Sequence, residues 1–164
     1  MKFAIRQAVA VPPDRAMAAY ASPTFYQGRP ERDHIAVREV VRHEEAGDRV
    51  LLEVRMAFTG SVSSAVRAVV DPAKMSWITR TEILLAEARS NWVILPDHYP
   101  DRLSASGTYR FAEGAAGPGN TDVEVEGDLK IRVPIVGRSV ERVIVSDLQD
   151  YIAEEAAGIA GWGG

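Results

Sequence analysis

The 164-residue chain has no cysteine. That excludes disulfides and thiol catalysis, and it fits a reducing compartment. Long apolar runs are also missing. Nothing approaches the ~18 consecutive apolar residues that a membrane span needs. The opening MKFAIRQAVAVPP is interrupted by Arg6 and Gln7, which leaves it too broken for a secretory signal. Positive charge is not concentrated anywhere: the formal net charge is −4 and no basic block stands out, which argues against nucleic acid as the main partner. No Walker A loop, dinucleotide-type glycine motif, HExxH or Gly-x-Ser-x-Gly elbow occurs. The Gly117-Pro118-Gly119 triplet reads as a turn. No catalytic residue, metal site or cofactor is therefore assigned. What remains has the length of one domain, over residues 1–164, with 46% hydrophobic residues, enough for a core. The expectation is a cytoplasmic protein without stable membrane insertion, its protein partners unspecified.

The most informative stretch is the last. From Val133 to Trp162, the residues Val136, Val140, Val143, Ile144, Leu148, Tyr151, Ile152 and Ile159 recur at three- and four-residue steps. That period predicts one apolar face on a helix roughly 36 Å long. Pro134 suits a first turn, and Gly158 and Gly161 suit a frayed end. So long a stripe needs an equally long partner.

The upstream segments supply one. Lys2 to Ala10 alternates as a strand and ends at Pro12-Pro13. Asp14 to Ala21, with Met17 and Tyr20 on one face, and Thr24 to Gln27 predict two short helices, the second closing at Gly28 and Pro30. Then come strands. His34 to Glu44 has Ile35, Val37 and Val41 in one register, and Ala46-Gly47-Asp48 makes a hairpin turn. Val50 to Phe58 alternates cleanly. Gly60 to Asp71, with Val62, Ala65, Val66, Val69 and Val70 at helical spacing, predicts a short helix against a competing strand reading. Alternation resumes from Ser76 to Leu85, continues less clearly over Asn91 to His98, and returns from Leu103 to Phe111. Glu113 to Thr121 has the composition of a flexible loop. The last strand opposes Val123, Val125, Leu129, Ile131 and Val133 to Asp122, Glu124, Glu126, Asp128, Lys130 and Arg132, which predicts an antiparallel sheet with one wet side.

The order of one strand, two short helices, about six strands and one long helix resembles the START-like (SRPBCC, helix-grip, birch-pollen-allergen-like) superfamily. More narrowly, the chain resembles the DUF2505 family. The residues that carry this likeness are Val133-Pro134-Ile135-Val136-Gly137 with Glu141, the opening Met1-Lys2-Phe3, and the run from Pro13 to Tyr20. The resemblance implies an α+β fold in which a curved antiparallel sheet of about seven strands grips the C-terminal helix around a cavity. It brings no catalytic residues with it. The Gly60 segment departs from the expected pattern by lacking a proline near its start.

Several residues interrupt the apolar faces. Asp147 falls inside the helix stripe, between Val136, Val140, Val143 and Tyr151. An inward carboxylate there is either a polar anchor or acid/base group, or the partner of an arginine from the sheet, unless a slightly rotated helix leaves it at the margin. Glu39 interrupts the second strand, and either faces Asp147 across the cavity or is turned out by a bulge. Tyr109, Tyr151, Thr79 and Thr81 occupy inward registers, as polar contacts of a pocket or as satisfied core groups. Trp77 and Trp92 read as core packing or cavity lining, and Val140 and Ile144 on the helix stripe join them as candidate ligand contacts. His98, between two prolines, reads as part of a rigid turn, and His43-Glu44-Glu45 as a solvated strand end.

The function expected is binding of a hydrophobic small molecule (lipid, quinone, polyketide or aromatic) between sheet and helix. The alternatives are a cyclase or dehydratase using Asp147 and Glu39, and an interaction module using the acidic outer row Asp122, Glu124, Glu126 and Asp128.

Overall fold

The computed structural model of the chain describes residues 1–29, 35–68 and 70–164, with the backbone alone for Arg38. Pro30, His34 and Val69, to which the sequence assigns a helix stop, a strand start and a helical face, lie outside the described residues. Alternating segments become β1 (Lys2–Val9), β2 (Ile35–Ala46), β3 (Arg49–Phe58), β4 (Ser76–Leu84), β5 (Arg89–Pro96), β6 (Leu103–Gly114) and β7 (Gly117–Ile131). They form one seven-stranded sheet in the order β1-β7-β6-β5-β4-β3-β2. Every neighbouring pair is antiparallel. Helices α1 (Pro13–Ala21) and α2 (Pro23–Gln27) follow β1, the single turn α3 (Ser64–Arg67) lies between β3 and β4, and α4 (Gly137–Gly161) closes the chain. The curled sheet and C-terminal helix make an α+β helix-grip fold.

Each helix end has a local cause. Pro13 and Pro23 sit at first helical positions, where a missing N–H is harmless. Ser63 caps α3 by accepting from the Val66 N–H at 3.4 Å. The expected helix over Gly60 to Asp71 is thus present, but as one turn followed by a 3-10 turn at Pro72–Lys74.

Two expectations change. The register of β2 slips between Val37 and Glu39 and again between Val40 and Arg42. As a result Val40 packs on the core and Val41 is exposed, where strict alternation would bury Val41. The loop expected from Glu113 to Thr121 is instead strand on both sides of a tight turn at Ala115-Ala116, with Gly114 opposite Gly117. Gly117 supplies a φ of 111°, so its glycine content marks a hairpin, not a mobile segment.

The inner face of the sheet carries Ile5, Val9, Val50, Leu52, Val54, Ile83, Phe111, Val123 and Val125, all buried. One row across it explains the curl. Phe3 pairs with Gly127, Gly127 with Gly107, Gly107 with Trp92, and Trp92 with Thr81. The two glycines leave a trough over which the Phe3 and Trp92 rings stack, 6.3 Å apart.

The two halves of α4 differ. Ile152, Ala156 and Ile159 in its second half are buried in the main core with α1, α2 and β1. Fully burying an isoleucine contributes about 2 kcal/mol, so this half anchors the helix. Its start is held differently. A Cβ on Gly137 would lie 2.5 Å from the Ile131 carbonyl oxygen, so only glycine allows this approach. Glu141 then reaches back to accept from the Ile131 N–H at 2.9 Å. The Val133–Gly137 stretch and Glu141 are therefore a junction between strand and helix.

The trough sets a testable constraint. A Cβ on Gly107 would meet the Glu126 carbonyl oxygen at 1.9 Å, while one on Gly127 would meet the tip of the Phe3 ring at 2.5 Å. A ring turns more easily than a sheet backbone moves. Gly107→Ala is expected to destabilise by about 3 kcal/mol and Gly127→Ala by about 1 kcal/mol. Urea denaturation midpoints check the order.

Candidate functional site

The first half of α4 faces a pocket. Val136, Val140 and Ile144 form its floor. Val66 and Val70 from the α3 segment, Met75 and Trp77 at the start of β4, Pro96, Tyr99, Leu103, Ile131 and Val133 complete the walls. Lys74, Ser76, His98 and Arg102 stand among the wall residues as the polar exceptions. The free space is about 80 Å³. That is below the roughly 300–1,000 Å³ of sites that hold drug-sized ligands. One wall is a single helical turn. Beyond it, the Asp71 N–H donates to the Tyr99 hydroxyl at 3.3 Å.

Trp77 satisfies its own polar group. Its indole N–H donates to Thr79 Oγ1 at 3.1 Å, and Thr79 donates to Met56 Sδ at 3.4 Å. The wall is therefore apolar towards the space despite an indole and a hydroxyl nearby. His98 sits in the turn that the two prolines predict, and no cluster of metal-binding side chains occurs among the described residues.

Beyond Ile144 the same helix face becomes polar and closed. Glu155 is 4% exposed. Its Oε1 accepts from Arg29 Nη1 at 2.9 Å, and its Oε2 from the Tyr109 hydroxyl at 2.9 Å. Arg29 Nη1 also donates to the Tyr151 hydroxyl at 3.3 Å, and its guanidinium lies 4.8 Å from the Tyr151 ring centroid and 5.3 Å from that of Phe25. Tyr20 packs 4.8 Å from Tyr109, and Ser90 donates to its hydroxyl at 3.4 Å. Tyr26 donates to the Tyr20 carbonyl at 3.2 Å.

Burial, with the Glu155 charge adding to it, pushes the Tyr20 and Tyr109 phenols up. Burial and the neighbouring Tyr20 do the same for Tyr26. Burial alone would lower Arg29, but Tyr151, Glu155 and Tyr26 outweigh it, and the guanidinium stays charged. Both Glu155 oxygens are engaged, so this carboxylate ties elements together and is not a free base. Among the described residues, three buried side-chain nitrogens lack a hydrogen-bond partner: Arg29 Nη2, His43 Nε2 and Trp92 Nε1.

The predicted residues thus divide. Val140, Ile144 and Trp77 line the pocket. Tyr109 and Tyr151 meet at the Arg29–Glu155 pair. Thr81 is buried and Thr79 serves Trp77. Trp92 lies in the glycine trough. Asp147 is half-buried on α4 and outside the pocket wall. Glu39 does not face it: the bulge turns Glu39 out, where it pairs with Arg55 at 3.4 Å and leaves its side chain 60% exposed. Glu155 and Arg29 are absent from the residues the sequence singled out. Glu155 had a signal, because it follows Tyr151 by four and precedes Ile159 by four. Arg29 had none, since it lies in the connection after α2.

The acidic outer row is a paired face in part. Glu124 bridges to Arg6, and Asp128 to Lys130 at 3.7 Å.

A family model described as "Protein of unknown function (DUF2505)" matches residues 4–162. No curated protein sequence matches the chain. Among solved structures, a Streptomyces aromatase/cyclase superposes with a TM-score of 0.65 at 14% identity, covering 98% of this chain and 93% of that one. A START superfamily protein from Mycobacterium smegmatis gives 0.57 at 15% identity, covering 96% and 94%. Norcoclaurine synthase from Thalictrum flavum gives 0.60 at 12% identity, covering 95% and 83%. At these identities the likeness is one of fold.

The closed cluster generates two predictions. Glu155→Gln strands a buried guanidinium and should lower unfolding free energy by about 3–5 kcal/mol, whereas Arg29→Met with Glu155→Leu should recover most of that loss. Chemical denaturation of the three proteins measures both. The second concerns alkali. Three phenols are raised in the folded state and stand near 10 in the unfolded chain. Below pH 10 both states hold these protons and stability does not depend on them. Above it the unfolded state loses protons first, so stability falls by about 1.4 kcal/mol per pH unit for each phenol. Tyr109→Phe should remove about a third of that slope in denaturation curves taken at successive alkaline pH values.

Proposed function

The chain belongs to the DUF2505 family, and from the geometry of its pocket we propose that it binds a hydrophobic small molecule between the sheet and the first half of α4. The observation that carries this reading is the division of the helix. Its second half is buried in the main core. Its first half carries an equally apolar stripe, Val136, Val140 and Ile144, that no protein core covers. An apolar stripe needs a partner, and a ligand supplies one. The ligand is mainly apolar, of the lipid, quinone, polyketide or aromatic kind, because polar groups in the wall are few and Trp77 and Thr79 are satisfied internally. A ligand larger than the present space enters by displacement of the α3 turn. No metal or other cofactor is needed for this role, and the cytoplasm is the compartment proposed.

Binding is favoured over turnover. Two of the fold neighbours bear enzyme names, but the acid/base pair that a cyclase or dehydratase reading would use here is not assembled, since Glu39 lies on the outer surface with Arg55.

Native mass spectrometry of the protein from its own host, followed by organic extraction, tests the proposal. A discrete bound mass recovered as an apolar compound is expected. Ile144→Trp fills the space and should abolish capture while leaving the denaturation midpoint within about 1 kcal/mol of the parent in stability. A clean unliganded mass, together with no uptake of fluorescent fatty acids, would overturn it.

A further inference from the structure

The rim of the pocket carries surface features that the pocket itself does not use. Between β7 and α4 the chain reads Arg132-Val133-Pro134-Ile135-Val136. Val133 and Val136 turn inward to the pocket. Ile135 turns outward and is fully exposed. Its φ is 69°, in the left-handed region that β-branched residues rarely enter. Glycine or asparagine there would relieve the backbone and remove the protruding side chain together. Isoleucine does neither. Val143, one turn beyond Val140 on α4, is a second exposed apolar side chain, at 59%.

Cations surround the Ile135 tip. Arg132, Arg138 and Arg142 are exposed, and so is Lys74 on the pocket rim. None of the four has an ion-pair partner among the described residues. The carboxylates close by are otherwise engaged: Glu141 accepts from the Ile131 N–H, Asp71 from the Ala73 N–H, and Asp97 from Ser76 and Arg55. On a chain of net charge −4, this end runs against the average.

We propose that this end docks on an anionic lipid surface. Ile135 and Val143 enter the boundary between headgroups and acyl chains, while Lys74, Arg132, Arg138 and Arg142 meet the headgroup charges. A protein interface would place charge at its margin and an apolar patch at its centre. Here one protruding apolar side chain has an arginine three residues before it and another three after. That arrangement matches a charged plane with an apolar layer beneath. The pocket mouth would then open towards the membrane. The proposal rests on the surface residues and holds whether or not the pocket is occupied.

Co-sedimentation with vesicles tests it. The protein should bind vesicles of phosphatidylcholine and phosphatidylserine in equal parts, and not phosphatidylcholine alone, with binding lost at high salt. Arg138→Gln with Arg142→Gln should weaken it about 25-fold, about fivefold for each charge. Ile135→Asp should abolish binding, and Ile135→Trp should preserve or strengthen it. Ile135→Gly should raise the denaturation midpoint yet weaken binding, which separates docking from folding. Ile144→Trp should leave vesicle binding unchanged, which separates docking from ligand capture. No binding of the parent protein to the anionic vesicles would overturn the proposal, as would binding indifferent to the arginine pair. A concentration-dependent dimer dissolved by Ile135→Asp, with no vesicle binding, would also overturn it and make the tip a contact between copies of this chain.

Discussion

The ion pair between Arg29 and Glu155 sets the terms for the rest of the structure. It joins the exit of α2 to the second half of α4, and Tyr109 extends it to β6. Burying two charges is costly unless they pair well and their remaining groups are satisfied. Both Glu155 oxygens are engaged and the guanidinium lies close to the Tyr151 and Phe25 rings, while its Nη2 alone is left without an acceptor. This arrangement makes alternatives expensive: a helix rotated by one residue would bury a carboxylate without its arginine. The pair therefore fixes the rotation of α4, and with it which stripe faces the pocket about three turns away.

That rotation gives α4 two tasks. Its second half is core, sealed by Ile152, Ala156 and Ile159. Its first half is wall, and it is held in place at its beginning by Gly137 and Glu141 and not by packing underneath. The glycine trough has a related effect on the sheet. It removes side chains where the curl is tightest, so Phe3 and Trp92 fill the middle of the grip and the open space lies at one end.

Much of this was legible in the residues. The three- and four-residue spacing along Val133 to Trp162 specified the helix, and the alternation of Val50 to Phe58 and of Val123 to Ile131 specified strands, whereas Val133, also read as strand, lies beyond the end of β7. Val140 and Ile144 lie on α4 and Trp77 in β4, the elements their spacing indicates, because periodicity is a local property. What was not legible depended on distant partners. The bulges in β2 that expose Val41 and Glu39 leave no mark in composition. Gly114 and Gly117 looked like a loop because a tight hairpin and a flexible segment use the same residues. Asp147 drew notice as a carboxylate in an apolar stripe, but Glu155, eight residues later, is the one that is sealed in. Only Arg29, from a connection without any periodic signal, decides between them.

The separation along α4 bears on how such a chain changes over generations. Folding is secured by the closed half of the helix, the curled sheet and their shared core. Val136, Val140 and Ile144 contribute little to that core. Exchanges among them would alter the shape of the space while leaving the closed half of the helix untouched. On the proposed reading, what the space accepts would be set at the open end of one helix while the other end stays fixed.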